Sequence, residues 1–99
     1  MIIPRAITVG PMRFDIKHVQ ALDRPPAYGR IDFHTGTIKI ASHSVFEVRY
    51  SANDRRRAFW HETIHACLVD MGQPLHTHDE EFVEALAERL TQVCTTAEV

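Results

Sequence analysis

The chain is poor in the features that would make it a disulfide scaffold, a membrane protein or a polyanion binder. It has two cysteines in 99 residues. Cys67 and Cys94 lack both the spacing of a zinc knuckle and the density of a disulfide framework, so each reads as an ordinary core or surface thiol. A reducing cytoplasm is the expected setting. No apolar run approaches the length needed to cross a bilayer, so no membrane association is expected. Met1-Ile2-Ile3-Pro4-Arg5 is too short, and too soon broken by proline, for a secretion signal. The net charge of −2 argues against nonspecific nucleic-acid binding, which rests on a basic surface. The one basic run, Arg55-Arg56-Arg57, sits where a helix should begin and reads as a solvated face. With no repeat and no low-complexity segment, residues 1–99 are expected to form a single small domain with one modest core.

What the chain does have is concentrated in His61-Glu62-Thr63-Ile64-His65. On a helix the two histidines lie one turn apart on the same face, so both imidazoles can reach one metal ion. Glu62 is rotated by about 100° from His61 and can stand beside that ion as a proton acceptor. Two neutral nitrogen ligands, a nearby carboxylate and open coordination positions suit a hydrolytic zinc site. The surroundings favour a helix. Ser51-Ala52-Asn53-Asp54 offers N-caps, Gly72 and Pro74 offer a stop, and Arg55 to Met71 contains neither glycine nor proline. Ala58, Phe59, Trp60, Ile64, Cys67, Leu68, Val69 and Met71 spread around most of its circumference, which marks a central, buried helix. Polar groups buried there need partners, and a metal would supply one.

Candidates for a third ligand follow Gly72. The segment from Leu75 leads into a second helix, expected to run to about Val93, with Phe82, Val83, Leu86, Leu90 and Val93 as its apolar stripe. Glu80 falls at the edge of that stripe and can face the first helix, whereas Glu81 and Glu84 are expected to turn progressively toward solvent. The competing role for Glu80 is a capping box with Thr77. His78, just before the helix, is the rival ligand, and His76 a weaker one.

The N-terminal half reads as sheet. Ala6 to Val9, Met12 to Val19, Arg30 to Phe33 and Thr37 to Ala41 alternate or run apolar, with Gly10-Pro11 and His34-Thr35-Gly36 as turns. Ile31, Phe33, Ile38 and Ile40 are expected to point inward. Leu22 to Ala27, with Pro25-Pro26, reads as a loop, Ser42 to Tyr50 as either more sheet or a loop above the site, and Thr95 to Val99 as a frayed tail. The plan is α+β: a small antiparallel or mixed sheet of three or four strands, then two helices.

HETIH followed by a short loop and an acidic amphipathic helix resembles the compact gluzincin-type metallopeptidases, in particular the ImmA/IrrE group with its small phage- and prophage-associated members. Glu80, Val83, Leu86-Ala87 and Leu90 match the second-helix pattern that carries the third ligand there, although Val83-Glu84 replaces the usual Ala-Asn pair. The similarity extends upstream to Tyr28-Gly29-Arg30-Ile31-Asp32 and Thr37-Ile38-Lys39-Ile40. His78-Asp79-Glu80-Glu81-Phe82 is also similar to the SprT-like family, whose third ligand is the histidine, with Asp79 in place of a glycine. The resemblance implies a minimal zincin-like domain in which Zn²⁺ is held by His61, His65 and Glu80 (or His78), and Glu62 is the catalytic base. The implied partner is a protein or peptide substrate lying along an edge strand, for which Thr37 to Ala41 is the candidate. Tyr28, Tyr50, His43 and His76 are candidate transition-state donors. The alternative is a non-catalytic zinc-binding module or a phage structural or interaction protein.

Overall fold

The structure, a computed structural model, describes residues 1–23 and 28–98. Residues 24–27 of the expected loop and residue 99 of the expected tail lie outside the described residues. Alternation drives the strands: Phe14 and Ile16 are buried while Arg13, Asp15 and Lys17 face water. Four strands result, β1 (Ala6–Val9), β2 (Met12–Val19), β3 (Gly29–Asp32) and β4 (Thr37–Ala41). They are followed by α1 (Ala52–Asp70), a 3₁₀ turn at Leu75–Thr77, and α2 (Glu80–Thr96). The fold is α+β, with a mixed four-stranded sheet in the order β1-β2-β4-β3. The β3–β4 hairpin closes through Asp32, whose Oδ1 accepts the amides of His34 at 2.8 Å and Thr35 at 3.1 Å. Gly36 is required in that turn: its φ is +66°, and an added Cβ would lie 2.8 Å from the Arg13 carbonyl oxygen.

The strand order corrects one expectation. Thr37–Ala41 is not the edge. It pairs in parallel with β2 on one side and antiparallel with β3 on the other. Thr37, Ile38, Ile40 and Ala41 are all buried, leaving only Lys39 exposed, the burial of a strand flanked by neighbours on both sides. The free edge on that side is β3.

Helix α1 starts one turn earlier than its apolar pattern suggests because Ser51 and Asp54 form a capping box. The Ser51 hydroxyl accepts the Asp54 amide at 3.0 Å, and Asp54 accepts the Ser51 amide at 3.1 Å. The helix ends in a glycine cap. Gly72, at φ +93°, donates its amide to Val69, and the Gln73 amide returns to Leu68 at 2.9 Å. One side of α1 buries Ala58, Phe59 and Ala66 against Phe14, Ile16, Ile38 and Ile40 of the sheet. The other packs Ile64 against Val83 and Ala87 of α2, with Trp60 touching both clusters. Helix α2 contacts α1 and no strand, so α1 is the middle layer.

Helix α2 departs from its expected pattern in three ways. Its cap is Asp79, which accepts the amides of Glu81 at 3.0 Å and Phe82 at 3.2 Å. The alternative capping box with Thr77 is therefore absent: Thr77 donates its hydroxyl to the Pro74 carbonyl instead, and the Glu80 carboxylate is left for other work. The packed row is Val83, Ala87 and Thr91, spaced by four, while Phe82 and Val93 remain 55% and 59% exposed. Small side chains let the helices approach, and Thr91 is buried because its hydroxyl bonds the Ala87 carbonyl at 2.7 Å. The third departure, Glu84, belongs to the site.

Candidate metal centre

Buried in the middle layer, α1 carries His61 and His65 toward α2 and Glu62 toward β3. The first turn of α2 brings Glu80 across to the two imidazoles. Its Oε2 lies 3.1 Å from His61 Nε2 and its Oε1 lies 3.1 Å from His65 Nε2, while the two Nε2 atoms are 3.3 Å apart. The separation of the two nitrogens matches the roughly 3.3 Å between two atoms bound at about 2.0–2.1 Å to one tetrahedral ion, and each nitrogen meets a different oxygen of the Glu80 carboxylate. His61, His65 and Glu80 thus form a group able to hold a metal ion.

The contacts at this group call for positive charge, from a protonated His61 or from a bound cation. His61 Nδ1 lies 2.8 Å from Glu84 Oε2. An ionised carboxylate only accepts, so His61 carries a proton on Nδ1, and in the neutral ring it presents a bare Nε2. In that state the lone pair faces a carboxylate oxygen, a contact that a bound cation would relieve, whereas a doubly protonated ring donates to Glu80 and Glu84 together. Glu84 is held in turn by Arg57, whose Nε donates to Oε1 at 3.0 Å and whose guanidinium lies 5.2 Å from the centre of the Tyr28 ring. Glu84 was expected to point to water, and Arg57 to belong to a solvated face. Glu84 instead holds His61, and Arg57 holds Glu84. The sequence signal for them is spacing: Arg57 precedes His61 by four residues and Glu84 follows Glu80 by four.

His78 does not join the triangle. Its Nδ1 lies 2.7 Å from His65 Nδ1, the ring nitrogen pointing away from Glu80. His76 is exposed in the 3₁₀ turn. Of the other candidate donors, Tyr28 borders the site and Tyr50 packs on the Tyr28 ring with centroids 4.4 Å apart. His43 is occupied with the Ser42 hydroxyl at 2.7 Å, in a loop that bridges to Arg49.

Glu62 is 8% exposed, between α1 and β3. Burial pushes its carboxyl up to about 7, and Glu80 adds to the rise, while His61, Arg30 and the Ile31 amide oppose it. Burial also lowers His65, with the nearby Glu80 charge pulling the other way, and so favours the neutral imidazole that a metal ligand must be. Gly29 permits this closeness: a Cβ there would lie 3.3 Å from Glu62 Cγ and 3.4 Å from Ala58 Cβ. A cavity of about 260 Å³ opens beside the triangle between Tyr28, Arg57, Glu62 and Glu84. A second hollow, about 270 Å³, runs under β3 past Glu62, His65, Leu75 and Glu80.

The fold and site define an α+β protein with a His/His/Glu group on two packed helices. Comparison with protein-family models, with curated proteins and with solved structures returned no match. Among the described residues, no helix is long and apolar enough to cross a membrane.

Proposed function

We propose that this protein is a zinc-dependent metallopeptidase that hydrolyses a peptide bond in a specific protein partner. The observation that carries the reading is the grouping of His61 Nε2 and His65 Nε2, 3.3 Å apart and each 3.1 Å from one oxygen of the Glu80 carboxylate, together with a buried carboxylate, Glu62, beside it. The donor set of two imidazoles and one carboxylate, with tetrahedral spacing, is what zinc prefers, and three protein ligands leave a position free. A zinc ion held there would supply Lewis acidity toward a water and a peptide carbonyl.

The remaining steps belong to the chain. Ala41 donates its amide to the Tyr28 carbonyl, so on β3 it is Tyr28, Arg30 and Asp32 that pair with β4. Gly29 and Ile31 turn their backbone groups away from β4, the Ile31 amide toward Glu62, and the remaining groups leave an edge where an extended peptide could be added as a further strand. Glu62 removes a proton from the attacking water as its oxygen bonds the carbonyl carbon, then delivers that proton to the amide nitrogen as the C–N bond breaks.

The test pairs zinc content with cleavage of a broad peptide library. Wild type is expected to hold about one zinc per chain, and His61→Ala or His65→Ala to hold none. Glu62→Gln keeps the zinc and loses hydrolysis by roughly two or more orders of magnitude. Wild type that contains no zinc and refuses it when added, or cleavage unchanged in Glu62→Gln, would overturn the reading. A zinc ion closed by four protein ligands would favour a binding module.

A further inference from the structure

His78 has both ring nitrogens engaged, and the engagements fix a direction. Its Nε2 lies 2.8 Å from the Gln73 carbonyl oxygen. A carbonyl can only accept, so His78, when neutral, carries its proton on Nε2 and has a bare Nδ1. That Nδ1 lies 2.7 Å from His65 Nδ1, which must then be the donor. The two rings are 9° from parallel with centroids 5.0 Å apart. With the facing nitrogens at 2.7 Å, the rings lie side by side in nearly one plane, so the His65 N–H points along the lone pair of His78.

We propose that His78 is a positioning residue: anchored on the Gln73 carbonyl, it accepts the Nδ1 proton of His65 and commits His65 to presenting a bare Nε2 to the metal triangle. The proposal rests on the metal-site reading for its consequence, but the proton placement stands without the ion. Its anchor begins with Gly72. The positive φ of that residue closes the cap of α1, the Gln73 amide is tied back to Leu68 at 2.9 Å, and the Gln73 carbonyl is left facing His78. The 3₁₀ turn then returns the chain, with the His78 amide bonded to the Leu75 carbonyl at 3.2 Å. His61 is held by a carboxylate and His65 by a second imidazole, so the two ligands reach the same proton state through different partners.

The experiment uses the full chain labelled with ¹⁵N at histidine, wild type against His78→Asn and His78→Leu, with His78→Ala in reserve should the leucine variant fail to fold. An asparagine Oδ1 sits near the place of the histidine Nδ1 and can still accept; leucine and alanine cannot. In metal-free protein at about pH 8.5, where imidazoles are neutral, long-range ¹H–¹⁵N correlations are expected to show His65 protonated at Nδ1 in wild type and in His78→Asn. The leucine or alanine variant is expected to populate the Nε2-protonated form. Zinc affinity, measured by chelator competition, is expected to fall roughly 10–100-fold without the acceptor and to be recovered by asparagine. His65 protonated at Nε2 in the wild type overturns the proposal. So does an asparagine variant as weak as the leucine one, since that marks His78 as a direct ligand, and so does an affinity that no substitution changes. A wild type with the expected His65 proton but no affinity for zinc would instead remove the metallopeptidase reading while leaving the proton placement in force.

Discussion

Helices α1 and α2 meet at the His61, His65 and Glu80 group under opposite constraints. α1 lies between the sheet and α2, and its His65 and Glu62 are 5% and 8% exposed. α2 has water on its outer side, and the side chain of Glu80 is 67% exposed. A buried polar group must be satisfied, so the polar residues of α1 announce a purpose. An exposed glutamate on α2 needs none, and its role is set by where the other helix places its nitrogens. Most of the chemical demand therefore resides in the enclosed helix, and α2 supplies completion and support.

The comparison is sharpened first at Glu62, on the enclosed side. The folded state raises this carboxyl to about 7 by burial. The folded protein binds the proton more tightly than the unfolded chain, so the stability Glu62 contributes is full below about pH 4.5 and lost as pH rises through about 7. In metal-free protein, Glu62→Gln is expected to match wild type at pH 4 but to exceed it at pH 8 by on the order of 3 kcal/mol. Urea titrations at the two pH values check this; equal differences at both would mean that the carboxyl is not held out of water.

A change on α2 is expected to act on the metal more than on the fold. Glu84→Ala removes the acceptor for His61 Nδ1 and should weaken zinc binding roughly 10–100-fold with helicity unchanged. Unaltered chelator competition in that variant would show that His61 keeps its orientation without Glu84. The smallest effects compare two neighbouring residues of α2. Val83→Ala, at a fully buried position, should cost about 2 kcal/mol. Phe82→Ala, one residue away, should stay within about 0.5 kcal/mol of wild type. Thermal melts that rank the two in reverse would restore Phe82 to the packed face.

Three of the four strands and the motif helix were legible because the relevant signals are local, namely the alternation around Phe14 and Ile16, the Ser51 cap, and glycine at 36 and 72. β3 runs Gly29–Asp32, one residue ahead of the expected Arg30 to Phe33. Strand order was not legible. β3 and β4 both alternate, and what makes β4 central is the burial of Thr37 and Ala41 on its second face, residues small or polar enough to suit either side. Leu22, buried at 7%, shows the same limit, since nothing in its neighbours marks it as core. His61, Glu62 and His65 were readable from helical spacing, whereas Glu80 was readable only as a third-ligand candidate beside His78. Glu84 and Arg57 were passed over because charged residues on a helix are usually solvated, and only the crossing of the two helices turns them toward His61.

Strand β3 ends the sheet with backbone groups of Gly29 and Ile31 unpaired by any neighbouring strand. Any extended chain can bond there, including another copy of this one, so an open edge is an aggregation hazard. Two features limit that hazard. The strand is only four residues long, and Arg30 and Asp32, both exposed, interrupt it with opposite charges. Replacing them with apolar residues would lengthen the sticky part of the edge without touching the His/His/Glu group. Colloidal stability and the openness of the cleft are thus governed by the same four residues.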